Sequence, residues 1–193
     1  MLPRSFYFVR HGETDWNKAQ RIQGSTNIPL NETGKMQAEQ AISVLSRMPI
    51  HRIVASNLDR AYETASIINA ALQKPLSVDE GLRERNFGQF EGLAFEEMDK
   101  LRNSMKEEGH APEENGYPCP PAGEPYADFR IRTIAAFARN LEQYAGENIL
   151  FVAHGGVYRV LRRCLFTELD HSANVQPFHF EKREEEWMLT HLR

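Results

Sequence analysis

Cysteine is nearly absent, with only Cys119 and Cys164 in 193 residues. The pair has no metal-ligand spacing and offers no disulfide framework, so reduced thiols and a cytoplasmic setting are expected. Basic charge is in deficit too: 23 Lys and Arg against 27 Asp and Glu give a net charge of −4. That balance argues against a nucleic-acid partner, although a local cationic pocket depends on placement and not on the sum. No apolar run approaches the ~20 residues a membrane span needs, so no membrane partner is expected. The opening residues, Met1-Leu2-Pro3-Arg4-Ser5, lack the charged, apolar and cleavage regions of a signal peptide. Repeats and linkers are missing as well. A chain of 193 residues then fits one domain, 1–193.

What is present is alternation. Phe6-Tyr7-Phe8-Val9, Arg52-Ile53-Val54-Ala55 and Ile149-Leu150-Phe151-Val152 read as strands, the apolar runs being of the kind buried on both faces. After Asn31 as N-cap, Ala41, Val44, Leu45 and Met48 follow at helical spacing until Pro49 stops them. A second helix has Ser56 or Asn57 as cap and Leu58, Ala61, Ala65, Ile68 and Leu72 as its apolar face. A third carries Ile134, Phe137, Ala138, Leu141 and Ala145, and a fourth Val157, Val160, Leu161 and Leu165. Such alternation predicts the α/β class, three layers (α/β/α) around a mostly parallel sheet. Val175–Phe180 and Trp187–Leu192, around the charged run Glu181–Glu186, predict a C-terminal antiparallel hairpin. Its apolar side leaves a homodimer open. From about residue 87 to 125 the periodicity fails, and Pro112, Pro118, Pro120, Pro121 and Pro125 mark an irregular inserted lid.

Two strands end alike. Phe8-Val9-Arg10-His11-Gly12 closes one and Phe151-Val152-Ala153-His154-Gly155-Gly156 another. Ligands of open α/β sheets bind at the carboxyl ends of strands, so parallel pairing brings His11 and His154 to one rim. The glycines after each histidine let backbone N–H groups approach an anion. Ser56-Asn57-Leu58-Asp59-Arg60 reaches the same rim, where Arg10 and Arg60 can converge. Arginine suits that place because its planar fork matches a phosphate and keeps its charge. With Asn17 these residues make an anion pocket, and phosphate is the anion that best fits it. No carboxylate or cysteine stands at zinc-ligand spacing, so no metal is expected.

"VRHGETDWN", "VASNLDRAYETA", "LRERNFGQFEG" and "FVAHGG" stand in an order and spacing that resemble the histidine phosphatase superfamily, over residues 6 to 156. That group includes cofactor-dependent phosphoglycerate mutases and small phosphatases. The resemblance implies that His11 is the nucleophile that becomes phosphohistidine, and that Arg10, Asn17, Arg60 and His154, with Gly155, hold the phosphoryl oxygens. It makes Glu84 the proton donor and puts Gln23 and Gly24 in a short loop beside the pocket. His11 must be unprotonated to attack, whereas His154 works best as a cation. Burial and carboxylate neighbours are expected to tune Glu84 for its proton transfers.

Residues 87–125 carry Lys100, Arg102 and Lys106 against nine acids, which is expected to repel a second phosphate and so to disfavour a mutase. The expectation is therefore a metal-independent phosphatase for a small phosphorylated substrate, with no cofactor. A phosphoglycerate mutase and a non-catalytic phosphate-binding interaction protein are the alternatives. Phe87 and Phe95 are expected in the core. Ser172-Ala173-Asn174-Val175 departs from the family's usual segment and is expected to stay clear of the phosphate clamp.

Overall fold

The apolar strand runs have one structural consequence: successive side chains on a strand point to opposite faces, so each run needs cover on both sides. The computed structural model describes residues 2–166 and 172–193 and provides that cover. Strands β1 (Phe6–Arg10), β2 (Arg52–Ala55), β3 (Leu76–Val78), β4 (Ile149–Ala153), β5 (Pro177–Arg183) and β6 (Glu186–His191) form one sheet. Their order is β3-β2-β4-β1-β5-β6. The first four are mutually parallel, and β5 and β6 add an antiparallel hairpin beside β1.

Helices α2 (Glu32–Leu45) and α3 (Asp59–Leu72) cover one face, packing Ala38, Leu45, Ala65 and Ile68 against Val9, Ile53, Leu150 and Val152. Helices α5 (Tyr126–Gln143) and α6 (Gly155–Leu165) cover the other, where Phe137, Leu141, Val157 and Leu161 meet Phe6, Phe8, Phe151 and Phe180. Phe6 alone stacks on Phe180 at 4.8 Å and meets Phe151 edge-on at 5.6 Å. Each such side chain contributes about 1.5–3 kcal/mol on burial. The α/β/α sandwich and the hairpin are as the sequence predicts.

Local details differ. The cap of α3 is Leu58, not Ser56 or Asn57, and the N–H of Asp59 is met from outside the helix by Asn27 Oδ1 at 2.8 Å. The proline-rich insertion is not irregular throughout: α4 (Phe95–Glu107) runs through it. Its acid-rich sequence hid the period, yet Glu97 reaches back to accept the Ala94 N–H at 2.9 Å and starts the helix. A one-turn helix, α1 (Asp15–Lys18), and the short edge strand β3 carry too few apolar residues to be read from pattern.

Candidate active site

Register decides where the two histidines go. Arg10 of β1 lies opposite Ala153 of β4, and the His11 N–H donates to the Ala153 carbonyl at 2.9 Å. One step further along both strands, the rings of His11 and His154 stand 5.2 Å apart at the carboxyl ends. Both are buried. Gly12 has to be a glycine, because a Cβ there would lie 2.5 Å from the Gly34 carbonyl oxygen at the start of α2.

Each imidazole has one nitrogen committed. His11 Nδ1 lies 2.7 Å from the Gly12 carbonyl, so that nitrogen carries the proton and Nε2 keeps its lone pair. His154 Nε2 lies 2.8 Å from Ser56 Oγ, which also accepts the Leu58 N–H at 3.3 Å. The hydroxyl proton is then free to go to Nε2, leaving Nδ1 protonated. His154 Nδ1 is buried and has no partner among the described residues. Burial first, then the nearby guanidiniums, push the pKa of both imidazoles well below 6.5. This favours His11 as a nucleophile. For His154 it departs from the expected cation: before an anion enters, both rings are held neutral, and a phosphoryl dianion would pull His154 back up.

Arg60 is fully buried at the start of α3 and its pKa is lowered to about 10, chiefly by desolvation. Nη1 donates to Thr26 O at 2.9 Å and Nη2 to Gly24 O at 2.7 Å, while Nε has no partner among the described residues. Arg10 likewise donates from Nη1 to Ser172 O at 3.0 Å and, among the described residues, leaves a buried Nε unpartnered. Asn17 Oδ1 accepts from the Thr14 N–H at 3.2 Å, so Nδ2 is the end left to donate. Arg10, His11, Asn17, Gln23, Gly24, Arg60, Glu84 and Gly155 all line one cavity of about 110 Å³. His154 lies behind it, ring to ring with His11.

Glu84 Oε2 accepts the Gly156 N–H at 2.7 Å and Oε1 the Arg85 N–H at 2.9 Å. A Cβ on residue 156 would sit 2.0 Å from Oε1, so Gly156 at the start of α6 leaves the room this carboxyl group occupies. Carboxylate neighbours were expected around it. The structure puts it instead within electrostatic reach of Arg10 and Arg60, whose charged forms it favours.

Residues 6–181 match the pattern of the histidine phosphatase superfamily (branch 1). The chain belongs to that family. It is 37% identical to phosphoglycerate mutase-like protein 4 of Arabidopsis thaliana, over 79% of this chain and 67% of that one. It is 37% identical to the uncharacterized phosphatase PhoE of Bacillus subtilis (strain 168), over 79% and 72% of the two chains. A mycobacterial glucosyl-3-phosphoglycerate phosphatase solved with VO3 superimposes with a TM-score of 0.82, at 26% identity and 97% coverage of both chains. The chain spans about two-fifths (41%) of the agropine synthesis reductase of Rhizobium rhizogenes, to which it is 38% identical over 95% of its own length.

Within this histidine phosphatase fold, three contributions escaped the sequence reading. Glu91, inside the quoted "NFGQFEG", anchors the loop that cups Arg60. Its Oε1 accepts from Ser25 N at 2.8 Å and Phe87 N at 3.0 Å, and its Oε2 from Thr26 N at 2.9 Å and the Thr26 hydroxyl. Segment 172–175 does not stay clear of the clamp: besides Ser172 O on Arg10, Asn174 Nδ2 donates to His11 O at 2.8 Å and Val175 N to Arg10 O at 3.0 Å. A tail that stitches the end of β1 in this way leaves no periodic signal.

Ser56 is the third, a positioning residue that sets the tautomer of His154. Ser56→Ala is expected to lower kcat about tenfold, because His154 can then place its proton on either nitrogen. Ser56→Thr should restore most of the rate, and ¹⁵N shifts of the His154 ring should report a changed tautomer in the alanine variant. An unchanged ring spectrum together with unchanged kcat would remove Ser56 from the site.

Proposed function

We propose that this protein is a metal-independent phosphomonoesterase that works through a phosphohistidine on His11. One observation carries the reading: three buried donors without acceptors among the described residues, Arg10 Nε, Arg60 Nε and His154 Nδ1, belong to the residues gathered around an imidazole whose Nε2 is free. Buried donors are rarely left unpartnered, and a tetrahedral oxyanion satisfies all three at once.

In the first step the His11 Nε2 lone pair forms a bond to phosphorus and the P–O ester bond breaks. The leaving alkoxide takes its proton from the Glu84 carboxyl. Charge on the transferring oxygens meets Arg10, Arg60, His154 Nδ1 and Asn17 Nδ2, fixed donors in a buried site, where they act most strongly. Water then attacks phosphorus, gives its proton to the Glu84 carboxylate, and the P–N bond breaks to return His11. The two free thiols suit a reducing, cytoplasmic setting.

The lid charge that was expected to disfavour a mutase does not bear on the choice. Its acids are turned to other work: Glu113 pairs with Arg85 at 2.5 Å, Glu124 with Arg132 at 2.6 Å, Glu96 with Lys100 at 2.8 Å, and Glu91 and Glu97 hold backbone. The likeness to PhoE and to the mycobacterial phosphatase supports hydrolysis instead.

Release of inorganic phosphate from a panel of phosphomonoesters, with EDTA present, tests the reading. Net release that survives EDTA supports it. Phosphate moved between hydroxyls of a phosphoglycerate without net release would make the protein a mutase. Glu84→Gln should lower kcat about 100-fold or more on alkyl phosphates, whose leaving group needs a proton, and much less on 4-nitrophenyl phosphate. Equal losses on both would take the proton donor's role from Glu84.

A further inference from the structure

A second cavity, of about 410 Å³, opens directly off the phosphoryl pocket. Ile22, Phe87, Phe95 and Arg159 line both. Its inner wall is Met98 and Phe129, both buried, and its mouth is Phe95 and Tyr117, 47% and 41% exposed. Phe95, expected in the core, is thus an aromatic face left open beside the reacting centre. A phosphomonoester held on His11 has its alcohol pointing away from the nucleophile, as in-line displacement demands. This chamber borders the pocket that the alcohol leaves.

The chamber's charge is one-sided. Among the described residues no Asp or Glu lines it, although the lid is rich in both, while Arg85, Arg102, Arg159 and Arg163 do. Three of these arginines are engaged. Arg85 pairs with Glu113, Arg102 with Asp99 at 3.5 Å while lying over the Tyr117 ring, and Arg163 donates to Glu114 O at 3.4 Å. Arg159 differs: among the described residues it has no hydrogen bond or ion pair. It projects from α6 at the junction of the two cavities, near enough to Arg10 for the two charges to repel. Arg21, the other exposed arginine at the phosphoryl pocket, lines that pocket alone and donates to Gly92 O at 2.7 Å.

We infer that the physiological substrate is a phosphomonoester whose alcohol carries an apolar, ring-sized body and a second anionic group, the body filling the chamber and Arg159 reading the anion. This rests on the assignment of the His11 pocket to the phosphoryl group. An uncharged alcohol would leave Arg159 without a partner, and a small one would leave the aromatic walls wet.

Three phosphates of primary alcohols test it without a large difference in leaving group: ethyl, benzyl and 4-carboxybenzyl phosphate. In the wild type, kcat/KM should rise about tenfold or more from ethyl to benzyl, the gain from burying a phenyl ring. It should rise about tenfold again with the carboxylate, the range for a charge-assisted pair at a partly exposed site. Arg159→Leu should erase the second step and keep the first. A carboxylate preference that persists in the variant would overturn the role of Arg159, and equal kcat/KM for ethyl and benzyl phosphate would overturn the chamber. If none of the three turns over, hydrolysis is the wrong activity, and calorimetric affinities of the same compounds for the His11→Ala variant still decide the inference. The same ranking would uphold it and a flat series would end it.

Discussion

His11→Ala is expected to lower phosphate release by at least about 10,000-fold, the scale seen when a covalent nucleophile is removed. No neighbour can substitute. His154 Nε2 is tied to Ser56 Oγ, and in the proposed mechanism its Nδ1 proton serves the phosphoryl group. The same variant should fail to trap labelled phosphate when the wild-type enzyme, quenched in alkali during turnover, retains an acid-labile phosphoryl group. Wild-type protein that turns over without ever retaining label would point to direct attack by water and end the covalent mechanism.

The depressed pKa of His11 has a thermodynamic sign as well. The unfolded chain binds a proton on this histidine near 6.5, while the folded protein resists it, so between those values the unfolded state holds more protons. Stability therefore falls as pH drops below about 6.5. His154 contributes in the same direction. Denaturation midpoints of the wild type should slide on acidification in this window, and those of His11→Ala should slide less.

Arg60→Lys is expected to lower kcat/KM by about 100-fold to 1,000-fold, despite keeping the charge. The guanidinium does three things at once: Nη1 and Nη2 clamp the Thr26 and Gly24 carbonyls, and Nε is left over for the anion. A lysine ammonium is a single point, and serving the carbonyls takes it from the phosphoryl group. The 24–26 loop also depends on Glu91, which loses a charge partner if Arg60 is replaced by a neutral residue. Arg60→Met should therefore also lower the melting temperature, whereas Arg60→Lys should largely keep it. A lysine variant within about fivefold of wild type would mean that Arg60 builds the loop and leaves the anion to Arg10.

The histidines and arginines were legible because their signal is local. A strand that ends in His-Gly says where it ends, and parallel pairing then brings two such ends together. Glu84 could be named only through its resemblance, since nothing in Leu82-Arg83-Glu84-Arg85 says that both oxygens will meet backbone N–H groups. Glu91, Ser56 and Asn174 were out of reach for the same reason: each acts through one long-range hydrogen bond or a few, which have no period. The lid misled in a different way. Counting its charges gave the sign of the whole segment, but the fold spends several of those acids on ion pairs and backbone N–H groups, and the described wall of the adjoining cavity is aromatic and cationic.

The sheet order β3-β2-β4-β1 places β4, the last of the four parallel strands in the chain, in the interior of the sheet rather than at its rim. During synthesis, β1 and β2 exist long before the strand that belongs between them. Until β4 emerges, each presents an unpaired apolar edge of the kind that recruits foreign strands. Insertion of β4 closes that gap and, in the same event, carries His154 to its place beside His11. A chain truncated before β4 therefore keeps both of those edges open and has no His154 beside His11, and the far edge of β1 stays open until β5 follows.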